Sequence, residues 1–165
     1  PIMEDFYLGD ATLQIFLPML QMTVPEIVDM YMPPEGVFHN CCIVSIKKSY
    51  PGQARKVMHA LWGLGQMMFT KLIVVVDESV NLRDLSEVSW VVFNNIDARR
   101  DLEIVDGPLD DLDRAAPVGR LGAKLGVDAT IKLPEEGMPR PWGDPIEMSP
   151  DIKEQVSKRW KEYGL

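Results

Sequence analysis

Side chains with hard oxygen atoms crowd one short stretch of the chain: Asp77, Glu78, Asn81 and Asp84 follow the apolar run Leu72-Ile73-Val74-Val75-Val76. Hard oxygen ligands there suit a divalent cation or a hydroxyl, because open α/β sheets place ligands beyond the carboxyl ends of their strands. A loop ending in a helix N-cap, with Asp84 as the cap, uses the same residues without any ligand. Lys47, Lys48 and Lys71 stand at or near strand ends, where an ammonium meets a phosphate as a point charge, although a solvated strand terminus needs them equally. Gly119, Gly122 and Gly126 suggest a phosphate cradle. Their spacing matches neither the dinucleotide fingerprint nor the P-loop, so a flexible surface loop is expected instead.

Two histidines, His39 and His59, are too few for a histidine-rich metal site, and no Cys-x-x-Cys or His-Glu-x-x-His spacing occurs. His59 falls beside the apolar face of a helix and reads as a packed or half-exposed residue rather than a catalytic one. No Gly-x-Ser-x-Gly or nucleophile-His-acid arrangement supports hydrolase chemistry. The only cysteines, Cys41 and Cys42, are adjacent. Neighbours on a strand point to opposite faces, which disfavours a disulfide between them, and a reducing, cytoplasmic setting is expected. Seventeen basic against 25 acidic residues give a net charge of −8, which repels nucleic acid and anionic lipid. No apolar run reaches the roughly 20 residues that span a bilayer. A chain of 165 residues, 46% of them hydrophobic, is expected to form one domain with its own core.

Periodicity supplies the scaffold. Asp10 is expected to cap a helix over 11–22, with Leu13, Phe16, Leu17 and Leu20 at helical spacing and Pro18 kinking or dividing it. Alternation over 26–32 suits a strand that ends at Pro33-Pro34-Glu35-Gly36, and 40–46 reads as a buried strand. Ala54, Val57, Met58, Leu61, Leu64 and Met68 mark one face of a helix over 53–69, and 71–76 is the clearest buried strand. Asp84 then opens a helix through Val88, Trp90, Val91 and Val92, and 102–105 is a weaker strand. Glycine and proline punctuate 106–148, leaving 127–133 as its one strand. Ser149-Pro150 starts an amphipathic helix whose Ile152, Val156 and Trp160 need a docking surface. The expected fold is an α/β layered sandwich. It has a mixed, mostly parallel sheet flanked by helices, plus the long Gly/Pro-rich segment and the C-terminal helix.

Taken together, several segments resemble one family. Val24-Pro25-Glu26-Ile27-Val28-Asp29, Pro34-Glu35-Gly36, Ile46-Lys47-Lys48 and Gly52-Gln53-Ala54-Arg55-Lys56 are similar to the C-terminal part of UbiD-type decarboxylases, 3-polyprenyl-4-hydroxybenzoate carboxy-lyase-like enzymes. So are Thr70-Lys71, Val75-Val76-Asp77, Val80-Asn81-Leu82-Arg83-Asp84 and Asp97-Ala98-Arg99-Arg100-Asp101. Gly107-Pro108-Leu109-Asp110-Asp111-Leu112-Asp113, Gly122-Ala123-Lys124, Asp128-Ala129-Thr130 and Arg140-Pro141-Trp142 extend the likeness, in order, along essentially the whole chain.

The resemblance implies non-oxidative decarboxylation of aromatic or α,β-unsaturated carboxylic acids, in quinone biosynthesis or aromatic metabolism. The full-length enzyme would use prenylated FMN, a divalent metal (Mn or Mg) and K. It implies further that the catalytic residues and metal ligands belong to an upstream N-terminal catalytic domain, because no Glu-Gly-Pro-Phe-Gly type signature occurs here. On that reading this chain, which opens at Pro1 without an initiator Met, is the C-terminal domain alone, holds no catalytic residue or metal ligand, and by itself binds no cofactor. Residues 1–22 would be an N-terminal segment and connector helix. Residues 23–165 would form the UbiD C-terminal α/β domain, which drives homo-oligomerisation and closes over the active site. Leu112 first, and Leu109 second, would cover the aromatic acid, and Lys71, Lys47 or Lys48 would reach the cofactor phosphate. Ser79 and Arg114 depart from residues seen in some members, so neither a metal role for the Asp77 loop nor a named substrate follows. Two alternatives stand beside this reading: a stand-alone assembly module partnering a separate catalytic subunit, and a metal-dependent enzyme built on Asp77, Glu78 and Asp84.

Overall fold

In the computed structural model, residues 3–111, 113–117, 119–138, 142–143 and 146–164 are described. Strands β1 (Ile27–Tyr31), β2 (Cys41–Ile46), β3 (Leu72–Asp77), β4 (Leu102–Pro108) and β5 (Leu121–Asp128) form one sheet in the order β1-β2-β3-β5-β4. β2 and β3 run parallel, as do β3 and β5, whereas β1 pairs antiparallel with β2 and β4 antiparallel with β5. The sheet is therefore mixed, with its pairings evenly divided rather than mostly parallel.

Helices α1 (Met3–Thr23) and α2 (Gln53–Trp62) cover one face and α3 (Leu85–Asn95) the other. Because successive strand residues alternate faces, Cys42, Val44, Ile73 and Val75 pack with Val57, Met58 and Leu61, while Ile43, Val74 and Val76 pack with Leu82, Val88 and Val91. Each fully buried Val, Ile or Leu here contributes roughly 1.5–3 kcal/mol. α3 starts where expected: Asp84 accepts hydrogen bonds from Ser86 N (3.0 Å) and Glu87 N (3.1 Å), the geometry of an N-cap.

Four expectations change. α1 begins at Met3 and continues through Pro18, and Asp10 is an interior residue whose carboxylate accepts from Gln14 (2.7 Å). Glu4 and Asp5 in the first turn supply the negative charge a helix N-terminus favours. α2 stops at Trp62, and a 3-10 turn over Gly65–Phe69 takes the remainder, because Gly63 and Gly65 release the chain. The glycine-punctuated stretch is no surface loop: it holds β5, which begins at Leu121 and ends at Asp128. Gly126 lets α2 pack closely on that strand, since a Cβ there would lie 2.5 Å from Met58 Sδ and 3.1 Å from the Trp62 ring and would force those side chains to shift. Finally, the apolar side of α4 (Pro150–Lys158) is exposed, and no residue of that helix is buried.

Candidate functional site

The sheet has two polar ends. At the carboxyl ends of β2, β3 and β5, the lysines and carboxylates are paired with one another. Lys48 Nζ donates to Thr130 Oγ1 (3.0 Å), the Ile131 carbonyl (3.1 Å) and both oxygens of Glu136 (2.9 and 2.6 Å). Buried Lys132 lies 2.9 Å from Asp128 and 3.4 Å from Asp101, and Arg100 closes on Asp101 at 2.8 Å. Burial works against ionisation of Asp101, but hydrogen bonds and charge from Arg100 and Lys132 hold it below the usual carboxylate range. Asp77 accepts from Ile131 N (2.7 Å), and burial raises its pKa. Glu78 is exposed, Asn81 accepts from Arg83 N, and Asp84 caps α3. Within this loop, then, Asn81 and Asp84 serve a turn and a helix cap, Asp77 holds the distant Ile131 amide, and Glu78 faces solvent. Among the described residues, no three His, Cys, Asp or Glu side chains gather as metal ligands.

The opposite end is built differently. β5 pairs Leu125 with Leu72, so its first residues and the end of β4 project beyond β3 at the amino side, and the chain joining them folds back over His39 and Lys71. His39 Nδ1 lies 2.6 Å from Asp110 Oδ2. Lys71 Nζ donates to Asp113 Oδ1 (2.9 Å), which also accepts from Ala115 N (2.9 Å). Burial disfavours the Asp113 carboxylate, yet Lys71 and the Ala115 amide keep its pKa below the usual range. His39 is 7% exposed and Asp113 7%, so these are interior contacts. The buried side-chain atoms that lack a hydrogen bond among the described residues are His39 Nε2, Asn40 Oδ1, Thr70 Oγ1 and Asp113 Oδ2, all from residues of this corner. Asp113 Oδ2 nevertheless keeps an ion-pair contact with Lys71 at 2.9 Å.

Sequence-derived candidates divide between these ends. Lys47 and Lys48 follow β2 at its carboxyl end and Lys71 precedes β3 at its amino end, so a strand length of about 20 Å separates them and they cannot share one phosphate. Lys47 is exposed, and Lys48 is enclosed by its partners. Leu109 is buried, its Cδ1 filling the space where a side chain on Gly122 would stand. Leu112 lies outside the described residues. Burial, helped by nearby charge, pushes the Cys41 thiol up to about 11 and the Cys42 thiol well above its ordinary value, which disfavours the thiolate at both. His39 and Thr70 are absent from the sequence-derived set; only the location of His39 after Pro34-Glu35-Gly36 and before a buried strand hinted at an interior role.

Residues 6–129 match the 3-octaprenyl-4-hydroxybenzoate carboxy-lyase C-terminal domain. The chain belongs to the UbiD C-terminal domain family. It is 52% identical over 163 residues to an uncharacterized protein of Archaeoglobus fulgidus and 49% identical over 165 residues to one of Aquifex aeolicus. These alignments take in 98% and 100% of this chain but 34% of each relative, so the chain spans about a third of the length of the relatives it matches. Among solved structures it is similar to the UbiD-class enzyme HmfF from Pelotomaculum thermopropionicum in complex with FMN, with a TM-score of 0.74 and 28% identity over 88% of this chain and 32% of that one. It is equally similar to the closed form of Sedimentibacter hydroxybenzoicus vanillic acid decarboxylase, with a TM-score of 0.74 and 28% identity over 87% of this chain and 30% of that one.

Proposed function

We propose that this chain is the part of a prenylated-FMN-dependent, non-oxidative decarboxylase that closes over the active site and assembles the enzyme. The reaction itself is carried by residues of a separate catalytic domain. The observation that carries this reading is the match over residues 6–129, supported by relatives about three times the length of the chain and by a similar UbiD-class enzyme solved with FMN. The flavin, when bound, supplies the electron sink for loss of CO2. This chain's own residues cover, orient and exclude water.

The segment from 109 to 117 is the covering element. Leu112 is the residue laid on the aromatic ring, and Leu109, buried beside Gly122, is its apolar anchor. Lys71, partly exposed beside that segment and paired with Asp113 at 2.9 Å, is the lysine assigned to the cofactor phosphate, for which it would exchange that partner; Lys48 is enclosed by Glu136, Thr130 and Ile131, and Lys47 belongs to the far end of the sheet. Assembly uses the exposed apolar surfaces. One is the α1 groove of about 390 Å3 lined by Phe16, Met19 and Met67, and the other is the α4 side with Ile152, Val156 and Trp160.

The test is a decarboxylation assay with prenylated FMN and Mn2+ on an aromatic acid such as a 4-hydroxybenzoate. The intact protein is expected to release CO2 and the isolated chain none. Sustained release by the isolated chain would overturn the division of labour.

A further inference from the structure

Two unusual features meet at the amino end of β2. Val37 and Phe38 both adopt positive φ, 43° and 66°, a region that non-glycine residues seldom enter and β-branched ones least of all. Strain of this kind persists only where the surroundings over-determine it, and it marks positions under a constraint beyond local folding. It delivers His39, whose ring stacks 3.8 Å from Phe38 and sets Nδ1 2.6 Å from Asp110 Oδ2. A carboxylate only accepts, so Nδ1 carries the proton of that bond. The other ring nitrogen is buried with no hydrogen-bond partner among the described residues, so the imidazole is held in place at the cost of a nitrogen that water would otherwise solvate.

The polar contacts of the 109–117 segment include local bonds and bonds to distant residues. Leu109 N to Arg120 O, Asp113 N to Asp110 O, and Ala116 N to Asp113 O are local turn and hairpin bonds, which shape the segment without tying it to the sheet. His39 with Asp110 and Lys71 with Asp113 reach across from this segment to the residues that lead into β2 and β3. Of these, the Lys71 side chain is 35% exposed and long, a weak hold, whereas the His39 ring is 8% exposed and short.

We propose that His39 is a positioning residue that, through Asp110, straps the 109–117 segment onto the amino ends of β2 and β3, with Lys71 and Asp113 as a second fastening. The consequence for turnover rests on the reading above that this segment covers the active site; the strap itself does not.

The test compares variants of the intact protein by amide hydrogen exchange and by steady-state kinetics. His39→Ala is expected to speed exchange at Asp113, Ala115 and Ala116 by about tenfold, the effect of losing one charge-assisted hydrogen bond, while exchange in β2 and β3 stays as it was. kcat/KM on the aromatic acid falls by a similar factor. His39→Asn, whose side-chain amide stands near the Nδ1 position, restores most of both; His39→Phe, which fills the space without a donor, restores neither. Parent-like exchange in His39→Phe would overturn the proposal. Should His39→Ala fail to fold, Asp110→Ala reads the same bond from the other side, and unchanged exchange there is equally fatal. Faster exchange with unaltered kinetics upholds the strap and overturns the covering role.

Discussion

At the carboxyl ends of β2, β3 and β5, Lys48, Lys132, Asp101, Asp128 and Glu136 partner one another. At the amino ends, His39, Asn40, Thr70 and Asp113 each leave a buried atom without a hydrogen bond among the described residues. The residue types are alike, so composition does not separate the two ends. What separates them is whether the polar groups complete their own bonding. A closed network specifies a structure, whereas an incomplete one beside strained backbone is where a protein keeps capacity for something else. The rule that open sheets bind ligands beyond their strand carboxyl ends directs attention to the closed end, because it presumes parallel strands. Here the β4–β5 hairpin projects at the other side and builds a second shelf.

The comparison is broken most forcefully by removing the charge at the centre of the closed end. Lys132→Ala leaves Asp101 and Asp128 buried with a cation missing, and a loss of about 3–5 kcal/mol by chemical denaturation is expected. A loss below about 1 kcal/mol would mean that the network is not closed in the sense argued here.

One substitution made at both ends sharpens the contrast. Thr130→Val removes a hydroxyl that accepts from Lys48 and donates to Asp128, and should cost about 1–3 kcal/mol. Thr70→Val removes a buried hydroxyl with no hydrogen bond among the described residues and should be nearly neutral, within about 0.5 kcal/mol. Equal costs measured by thermal melting would erase the distinction.

Acid gives the most graded effect. Asp101 and Asp113 both have folded pKa values below the ordinary carboxylate value, so the unfolded chain takes up protons first as pH falls. Their contribution is complete above about pH 4 and is lost as pH drops through the depressed folded values. Melting temperature should therefore fall between neutral pH and pH 3. Asp113→Asn should flatten the part of that slope that tracks amide exchange in the 109–117 segment.

Legibility in the sequence followed the strength of local signals. β2 and β3 are continuous apolar runs and Asp84 is a helix cap with its helix behind it, so both are readable from neighbours alone. β5 was not, because Gly122 and Gly126 look like loop punctuation until Leu109 and Met58 are seen to fill the space their side chains would take. The start of α1 was masked by Asp10 and Pro18, each of which signals a boundary in isolation. Family resemblance, carried by ordered short segments, was legible where chemistry was not: the acidic run read both as a site and as a loop ending in a helix cap, and the structure shows Asp84 capping α3 and Asp77 holding the Ile131 amide. His39 looked like a lone histidine, and its partner is 71 residues away. No periodicity reports a contact of that span.

Sheet order has a consequence for how the chain can vary. Residue 39 precedes β2 and residue 110 follows β4, three strands away in the sheet order, so the connection after β4 must fold back across about 14 Å of sheet to bring the two within 2.6 Å. A connection between two antiparallel strands is ordinarily where length is freest to drift, since a longer surface loop adds little entropic cost. Here the connection is gauged against distant points on another part of the chain. An inserted or deleted residue between Pro108 and Asp113 would move one carboxylate out of reach of its partner, so both fastenings depend on the length of this connection as well as on the residues that make them.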